Sequence, residues 1–199
     1  DLLEERTPIL CNLLRNEAGK TIDDSINEIR EAVDFCRYYV AQSEHLFNKK
    51  ENDGITGESN VSIHKARGTW LAISPWNFPV AIFVGQTIAP VICGNTVVTK
   101  PAEQTTNIAE YIVHVLYEAG IPKDVVLMAT GIGKNIGNDL LTHEYLAGVS
   151  FTGSYDTGKI INQTLAARDG PIIPFIAETA GVNFMIVDSS ALLEQVTTD

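Results

Sequence analysis

Two polar residues of this sequence stand where they could assist chemistry at a carbonyl group. Asn77 lies in the loop SPWNFP at residues 74–79, which two prolines stiffen, and its side-chain amide can donate a hydrogen bond to a developing oxyanion. Glu178 follows the apolar run at residues 172–176, and partial burial there would raise its pKa and suit it to general-base work. On spacing alone, a helix N-cap is the better explanation of Asn77, and a carboxylate at a sheet edge is the alternative for Glu178.

A lysine and a glutamate, Lys100 and Glu103, follow a second apolar run in the sequence KPAE. Both side chains can hydrogen-bond to ribose hydroxyls when they lie at the end of a strand in a nucleotide-binding sheet. Taken alone, the pair is better explained as two solvated surface charges. Its interpretation therefore depends on what lies around it.

A glycine-rich loop, GIGKNIG at residues 131–137, follows another apolar run and precedes a helical pattern. It contains Gly133 and Gly137, but its last glycine is one position late for the dinucleotide-binding pattern GxGxxG. By itself it is explained about as well by a plain turn.

A second glycine loop, GSYDTGK at residues 153–159, matches the phosphate-binding pattern of nucleoside triphosphatases. Two residues argue against that function. Ile160 stands where the magnesium-binding hydroxyl should be, and Asp156 would place a negative charge in the phosphate cradle. A helix N-terminus can nevertheless hold a pyrophosphate without magnesium through its backbone N–H groups.

These loops gain meaning from the elements between them. From residue 69 onward, short apolar runs alternate with amphipathic stretches. The apolar runs are at residues 70–73, 96–99, 125–128, 146–151 and 172–176, and the amphipathic stretches are at residues 80–93, 106–119, 135–141 and 157–167. This alternation predicts an α/β fold with a doubly wound, mostly parallel Rossmann-like sheet. Ligands bind such a sheet at the carboxyl ends of its strands, so the loops described above would converge there.

Helices are expected to precede the sheet. Thr7 is the predicted N-cap of one helix, with Pro8 in its first turn, and Asp24 or Ser25 would cap a longer one. A polar loop is predicted at residues 48–59 and an exposed strand at residues 61–64. The predicted organisation is N-terminal helices at residues 1–50, a loop with an exposed strand at residues 51–68, and an α/β domain at residues 69–181.

Composition excludes several classes of function. The 199 residues carry a formal net charge of −11, which argues against a nucleic-acid partner. No apolar run reaches the length of a membrane span. The three cysteines are widely spaced without a CxxC pair, and the four histidines are isolated, so we expect neither disulfides nor a metal site. Unpaired cysteines are typical of a reducing cytoplasm.

Taken together and in this order, the loops resemble the aldehyde dehydrogenase superfamily, from about Glu17 to the C-terminus. The closer resemblance is to the Δ1-pyrroline-5-carboxylate dehydrogenase module of proline utilization A proteins. The segments that carry it are EAGK (17–20), EAVDFCRYY (31–39), ISPWNFP (73–79), KPAEQT (100–105), INQTLAAR (161–168), IAET (176–179) and VDSSAL (187–192).

The resemblance implies a role for each candidate residue. Asn77 would stabilise the oxyanion, Glu178 would act as the general base, and Phe78 would lie near the aldehyde substrate. The remaining residues would bind the cofactor NAD: Ser74, Pro75 and Trp76 along the dinucleotide, Lys100 and Glu103 at the adenosine ribose, Gly133 and Gly137 on the adenine side, and Thr152, Gly153 and Ser154 at the pyrophosphate and nicotinamide.

The resemblance further implies part of an NAD-dependent L-glutamate γ-semialdehyde dehydrogenase, homo-oligomeric when complete. Residues 69–181 would be the NAD-binding domain and residues 182–199 the start of a catalytic domain, so the aldehyde dehydrogenase fold is expected to be incomplete. The nucleophilic cysteine of the family lies beyond its general base, and none of the cysteines here matches it, so residues 1–199 alone are expected to be inactive. Ala180 also stands where the family usually has glycine. Another aldehyde substrate and a non-catalytic nucleotide-binding module remain alternatives.

Overall fold

A five-stranded sheet organises the computed structural model, which describes residues 1–197 and all of their side chains except those of residues 134–136. The strands are β1 (Lys50–Asn52), β2 (Asn60–Ser62), β3 (Thr69–Ile73), β4 (Thr96–Lys100), β5 (Val126–Met128), β6 (Leu146–Gly153) and β7 (Phe175–Thr179). The helices are α1 (Leu2–Glu5), α2 (Thr7–Glu17), α3 (Ile22–Leu46), α4 (Ala81–Ile92), α5 (Thr106–Glu118), α6 (Gly133–Thr142), α7 (Tyr155–Ala167) and α8 (Leu193–Val196), with a 3-10 turn at Glu103–Thr105.

The sheet has the order β5–β4–β3–β6–β7, and each neighbouring pair is parallel. Strand order reverses after β5, so α4 and α5 cover one face and α6 and α7 cover the other. Two separate apolar clusters result: one joins α4 and α5 to the N-terminal helices around Phe83 and Ile112, and the other surrounds Val149 and Phe151. The predicted doubly wound α/β fold is confirmed.

The register of the sheet brings the loops to one edge. Ile73, the last residue of β3, pairs with Lys100 on one side and with Phe151 on the other. Thr152 of β6 in turn pairs with Glu178 of β7. Because parallel strands in this register end together, the residues that follow β3, β4 and β6 lie side by side.

The last strand differs from its prediction, because the apolar run at residues 172–176 indicated a strand that begins three residues too early. Ile172 is 98% exposed, and β7 begins only at Phe175. Pro174 explains the difference, since its nitrogen has no hydrogen to donate to the ladder while its carbonyl accepts from Val149 N at 3.0 Å.

Edge placement also makes the predicted partial burial of Glu178 wrong. β7 is the last strand of the sheet and pairs only with β6, and its residues from Ile176 to Thr179 are exposed. Within the described part of the chain, no element covers this edge. Glu178 therefore lies at a sheet edge, and its role as a general base stays a prediction.

The helix caps at the N-terminus also differ from the prediction. The N-cap of α2 is Arg6 rather than Thr7, because α1 lies directly upstream and Thr7 Oγ1 donates to Glu4 O at 2.7 Å. The N-cap of α3 is Thr21, whose extended backbone lets its hydroxyl accept from Asp24 N at 3.1 Å. Asp24 thus lies in the first turn, where a negative charge is favourable, and does not cap the helix.

An antiparallel hairpin takes up residues 50–52 of the predicted loop at residues 48–59, and residues 53–59 form the loop that connects its two strands. Its strands β1 and β2 pair through their backbones, and Asn52 Nδ2 donates to Ser62 Oγ at 2.7 Å. Every residue of both strands is exposed. Periodicity could not indicate β1 because its three residues, Lys50, Glu51 and Asn52, are all polar and show no apolar alternation. The second strand was predicted one residue late at its start and two residues late at its end.

Residues 1–197 contain neither a candidate membrane span nor a candidate metal site. No helix there combines the length and the apolar character that crossing a membrane requires. No group of three or more histidine, cysteine or acidic side chains is placed to hold a metal ion in the same residues.

Candidate active site

A groove of about 1150 Å³ runs along the carboxyl edge of the sheet. The structure brings every sequence-predicted site residue to its lining. These residues are Ser74, Pro75, Trp76, Asn77, Phe78, Lys100, Glu103, Gly133, Gly137, Thr152, Gly153, Ser154 and Glu178. Ala180 lines the same groove. Four strand ends and two helix starts, which are far apart in sequence, therefore meet in one cavity.

The loop after β3 contributes exposed aromatic rings and an exposed amide. Trp76 is 55% exposed and Phe78 39% exposed, so both rings are open to a ligand in the groove. Asn77 is also exposed and does not cap the following helix, because α4 begins at Ala81 with Val80 as its N-cap. The N-cap explanation of Asn77 is wrong, and its amide remains available to a ligand.

Gln86 is a polar residue of this region that the sequence analysis did not single out. In the amide orientation that satisfies all its neighbours, Gln86 Nε2 donates to Ile73 O at 3.0 Å and to Ser74 Oγ at 2.9 Å. Its Oε1 accepts from Thr152 N at 3.2 Å and from Thr152 Oγ1 at 2.9 Å. Gln86 therefore ties the end of β3 to the end of β6 beneath the groove. The one feature of the sequence that could have indicated this role is the presence of a single amide within a long apolar helix.

The loop after β4 holds a buried cation beside a carboxylate. Lys100 is 5% exposed, and its Nζ donates to Pro101 O at 3.0 Å and lies 3.6 Å from Glu103 Oε1. The same Oε1 accepts from Gly133 N at 2.7 Å. Lys100 is therefore not a solvated surface charge, whereas Glu103 is exposed to solvent. Gly133 lies close to it, since a Cβ there would approach Lys100 Cε to 3.4 Å.

The pKa of Glu103 is lowered from its ordinary value by these contacts. Partial burial alone would raise the pKa, but hydrogen bonds from the backbone N–H groups of Glu103 and Gly133 outweigh it, with the charge of Lys100 acting in the same direction. Glu103 is consequently an anion at neutral pH. It presents a negative charge at this end of the groove.

The loop after β6 leads directly into α7. Ser154 is the N-cap of that helix, and its Oγ accepts from Thr157 N at 3.3 Å. A Cβ at Gly153 would come within 2.7 Å of Phe151 Cζ, and a Cβ at Gly158 within 3.1 Å of Thr179 Cγ2. Close packing against Phe151 and β7 therefore accounts for both glycines of the GxxxxGK match, and no phosphate is needed to explain them.

The cysteines lie away from this chemistry. None of Cys11, Cys36 and Cys93 lines the groove within the described residues, and all three are free. Burial raises the pKa of each thiol, which disfavours the reactive thiolate. Cys93 is the C-cap of α4, at the opposite end of a helix that rises roughly 18 Å from the Asn77 loop.

The groove is large, and its lining combines charged, polar and aromatic groups. Its volume slightly exceeds the usual range of about 300–1000 Å³ for small-molecule pockets, which suits an extended ligand. An ionic pair lies at Lys100 and Glu103, a helix N-terminus lies at Ser154, and exposed aromatic rings lie at Trp76 and Phe78. A Cβ at Gly137 would meet nothing within 4 Å, so that glycine leaves open space in the groove.

Comparison with known proteins points to one family. The aldehyde dehydrogenase family matches residues 1–199. The bifunctional protein PutA of Klebsiella aerogenes is 44% identical over 201 aligned residues, which cover all of this chain but only 14% of the relative. The chain thus spans about one seventh of that protein.

Solved structures agree with the sequence relatives. A mutant proline utilization A from Bradyrhizobium japonicum is 54% identical and has a TM-score of 0.95 over 99% of this chain and 20% of that one. A 1-pyrroline-5-carboxylate dehydrogenase from Thermus, solved with bound NAD, is 32% identical and has a TM-score of 0.85 over 90% of this chain and 36% of that one. With the fold and the sequence both in agreement, this chain belongs to the aldehyde dehydrogenase family.

Proposed function

We propose that this chain is the cofactor-binding part of an NAD-dependent dehydrogenase that oxidises L-glutamate γ-semialdehyde, formed from 1-pyrroline-5-carboxylate, to glutamate in proline catabolism. The observation that carries the proposal is the convergence of an amide, a carboxylate, an ionic pair and a helix N-terminus on one groove. The similarity to PutA and to 1-pyrroline-5-carboxylate dehydrogenase supports the choice of substrate.

The ionic end of the groove is proposed to hold the adenosine part of NAD. Lys100 would donate a hydrogen bond to a ribose hydroxyl, and Glu103 would accept a hydrogen bond from one. Both groups are already fixed: Lys100 by burial and Glu103 by Gly133 N. Gly133 and Gly137 would leave room on the adenine side.

The other end of the groove would hold the pyrophosphate and the nicotinamide. Backbone N–H groups at the start of α7, next to Thr152, Gly153 and Ser154, are suited to an anion. Ser74, Pro75 and Trp76 would contact the dinucleotide from the side of β3. When bound, NAD supplies the acceptor for the hydride that leaves the substrate.

Two side chains of this groove would act on the substrate. Asn77 would donate a hydrogen bond to the carbonyl oxygen as it becomes an alkoxide on addition of a thiolate. Glu178 would take a proton from the water that hydrolyses the thioester left after the adduct has lost its hydride, with the thiolate as leaving group. Exposure of Glu178 at the edge strand leaves it accessible to that water.

The nucleophile of this reaction must come from outside the described groove. The chain's thiols lie elsewhere, and burial disfavours their ionisation. We therefore propose that residues 69–181 form the NAD-binding domain, that residues 182–199 begin a catalytic domain, and that the chain alone does not oxidise aldehydes. The exposed apolar side chains of Val182, Phe184 and Ile186 would then be covered by that domain. We further propose a cytoplasmic, homo-oligomeric enzyme, in which the free cysteines stay reduced.

NADH production by the full-length gene product, meaning the complete polypeptide that the gene encodes, tests this proposal. L-Glutamate γ-semialdehyde and benzaldehyde are compared as substrates, each with saturating NAD. We expect the semialdehyde to give the higher kcat/KM. A preference for benzaldehyde would contradict the substrate, and NAD binding without oxidation of any aldehyde would indicate a non-catalytic nucleotide-binding module.

A further inference from the structure

A buried carboxylate lies directly behind the loop that carries Asn77 and Phe78. Glu28 of α3 is 2% exposed, and its Oε1 accepts from Val80 N at 2.7 Å and from Ala81 N at 3.2 Å. These are the first N–H groups of α4, which has no side-chain cap of its own. Glu28 thus caps a helix to which it does not belong, and its charge lies at the positive end of that helix.

A single lysine connects this carboxylate to the groove. Lys20 Nζ lies 2.5 Å from Glu28 Oε2 and 4.1 Å from the centroid of the Phe78 ring. Its side chain is only 14% exposed, so water screens neither contact fully. The cation therefore neutralises a buried charge on one side and lies against a groove-lining ring on the other.

The position of Lys20 is itself fixed by the local chain. Gly19, with φ of 65°, allows the chain to turn after α2, and Lys20 N donates to Leu14 O at 3.4 Å. A second, smaller cleft of about 260 Å³ contains Lys20, Glu28 and Phe78 in its lining. Phe78 is thus shared between this cleft and the main groove.

From these contacts we infer that Lys20 and Glu28 are positioning residues, which fix Asn77 and Phe78 relative to a bound aldehyde. Glu28 holds the start of α4, and Lys20 holds the ring that precedes it. The loop is anchored on its other side by Ser74 N, which donates to Lys100 O at 3.1 Å. This role rests on the proposed function in one respect, namely that Asn77 and Phe78 contact an aldehyde. The bracing of the loop by Lys20 and Glu28 does not depend on the proposed function.

The test compares three variants of the full-length gene product. Lys20→Met removes the cation and keeps a long side chain, Lys20→Arg keeps the cation, and Arg37→Met removes a cation of the same N-terminal helices that pairs with Glu4 at the surface. We expect Lys20→Met to lower kcat/KM for the aldehyde about 3- to 30-fold, with the Kd for NAD changed less than about twofold. Lys20→Arg should retain most of the activity, and Arg37→Met should match the wild type.

Amide hydrogen exchange of the peptide that contains Val80 and Ala81 gives a readout independent of turnover. We expect faster exchange there in Lys20→Met and in Glu28→Gln, and no change in Arg37→Met. Parallel losses of aldehyde kcat/KM and NAD affinity in Lys20→Met, or unchanged exchange at Val80 and Ala81, would overturn the inference. If the wild type oxidises no aldehyde, the proposed function fails, and the exchange data still decide whether the brace exists.

Discussion

Glu103 Oε1 accepts a hydrogen bond from Gly133 N at 2.7 Å, and this contact joins the end of β4 to the start of α6. The buried Lys100 lies 3.6 Å from the same oxygen. A fixed carboxylate, whose pKa is lowered by these neighbours, therefore stands at the end of the groove where we place the adenosine ribose. Its second oxygen, Oε2, takes part in neither contact and is the one assigned to a ribose hydroxyl.

The first prediction is that the full-length enzyme prefers NAD to NADP. The 2′-phosphate that distinguishes NADP from NAD would lie next to the anionic Glu103. Two negative charges in contact repel each other. The ratio of kcat/KM for the two cofactors measures the preference, and Glu103→Gln should reduce it. Equal use of both cofactors by the unmutated enzyme would show that Glu103 does not face the ribose.

The second prediction separates two glycines of the groove. Gly153→Ala would force a Cβ to within 2.7 Å of Phe151, and we expect a loss of about 1–3 kcal/mol in the free energy of unfolding. Gly137→Ala is the matched control, because its Cβ meets nothing within 4 Å and lies inside α6, where alanine gains about 1 kcal/mol over glycine.

Stability and cofactor binding should respond in opposite directions to Gly137→Ala. If Gly137 makes room for the adenine side of NAD, Gly137→Ala weakens NAD binding although the fold is no less stable. Chemical denaturation and calorimetric titration with NAD provide the two measurements. A Gly137→Ala protein that binds NAD as tightly as the wild type would remove Gly137 from the cofactor site.

The third prediction divides the reaction between Asn77 and Glu178. If Glu178 activates the hydrolytic water, Glu178→Gln should keep the initial burst of NADH and slow the turnover that follows. If Asn77 holds the oxyanion, Asn77→Ala should reduce the rate of the burst itself, by a factor on the order of 10²–10³. Rapid-mixing kinetics on the full-length enzyme distinguishes the two phases, and the opposite pattern would reverse both assignments.

The sheet could be predicted because its buried strands appear in the sequence as short apolar runs. The strands β3 and β6 contain several buried apolar residues, β4 contains the buried Val97, and helices of regular period lie between the strands. The start of β7 was predicted wrongly because the apolar run indicated a strand through Pro174, whose nitrogen cannot donate to the ladder. The hairpin strand β1 escaped prediction because none of its three residues is apolar.

Other features depended on tertiary contacts that no local pattern records. Glu28 has the sequence context of a surface charge on a long helix, yet it is buried at the start of α4, 52 residues away. Gln86 likewise joins two strand ends that are distant in the sequence. The exposure of Glu178 follows from strand order, since only the complete sheet shows that β7 lies at its edge.

The most direct test of the account is NADH production from L-glutamate γ-semialdehyde by purified residues 1–199, measured beside the full-length gene product. The groove holds the groups proposed to bind NAD, to stabilise the oxyanion and to activate water, but none of the described thiols reaches it. We predict thiol-dependent NADH production by the full-length protein and none by residues 1–199. Comparable thiol-dependent activity in both proteins would contradict the account, because it would mean that one of Cys11, Cys36 and Cys93 is the nucleophile.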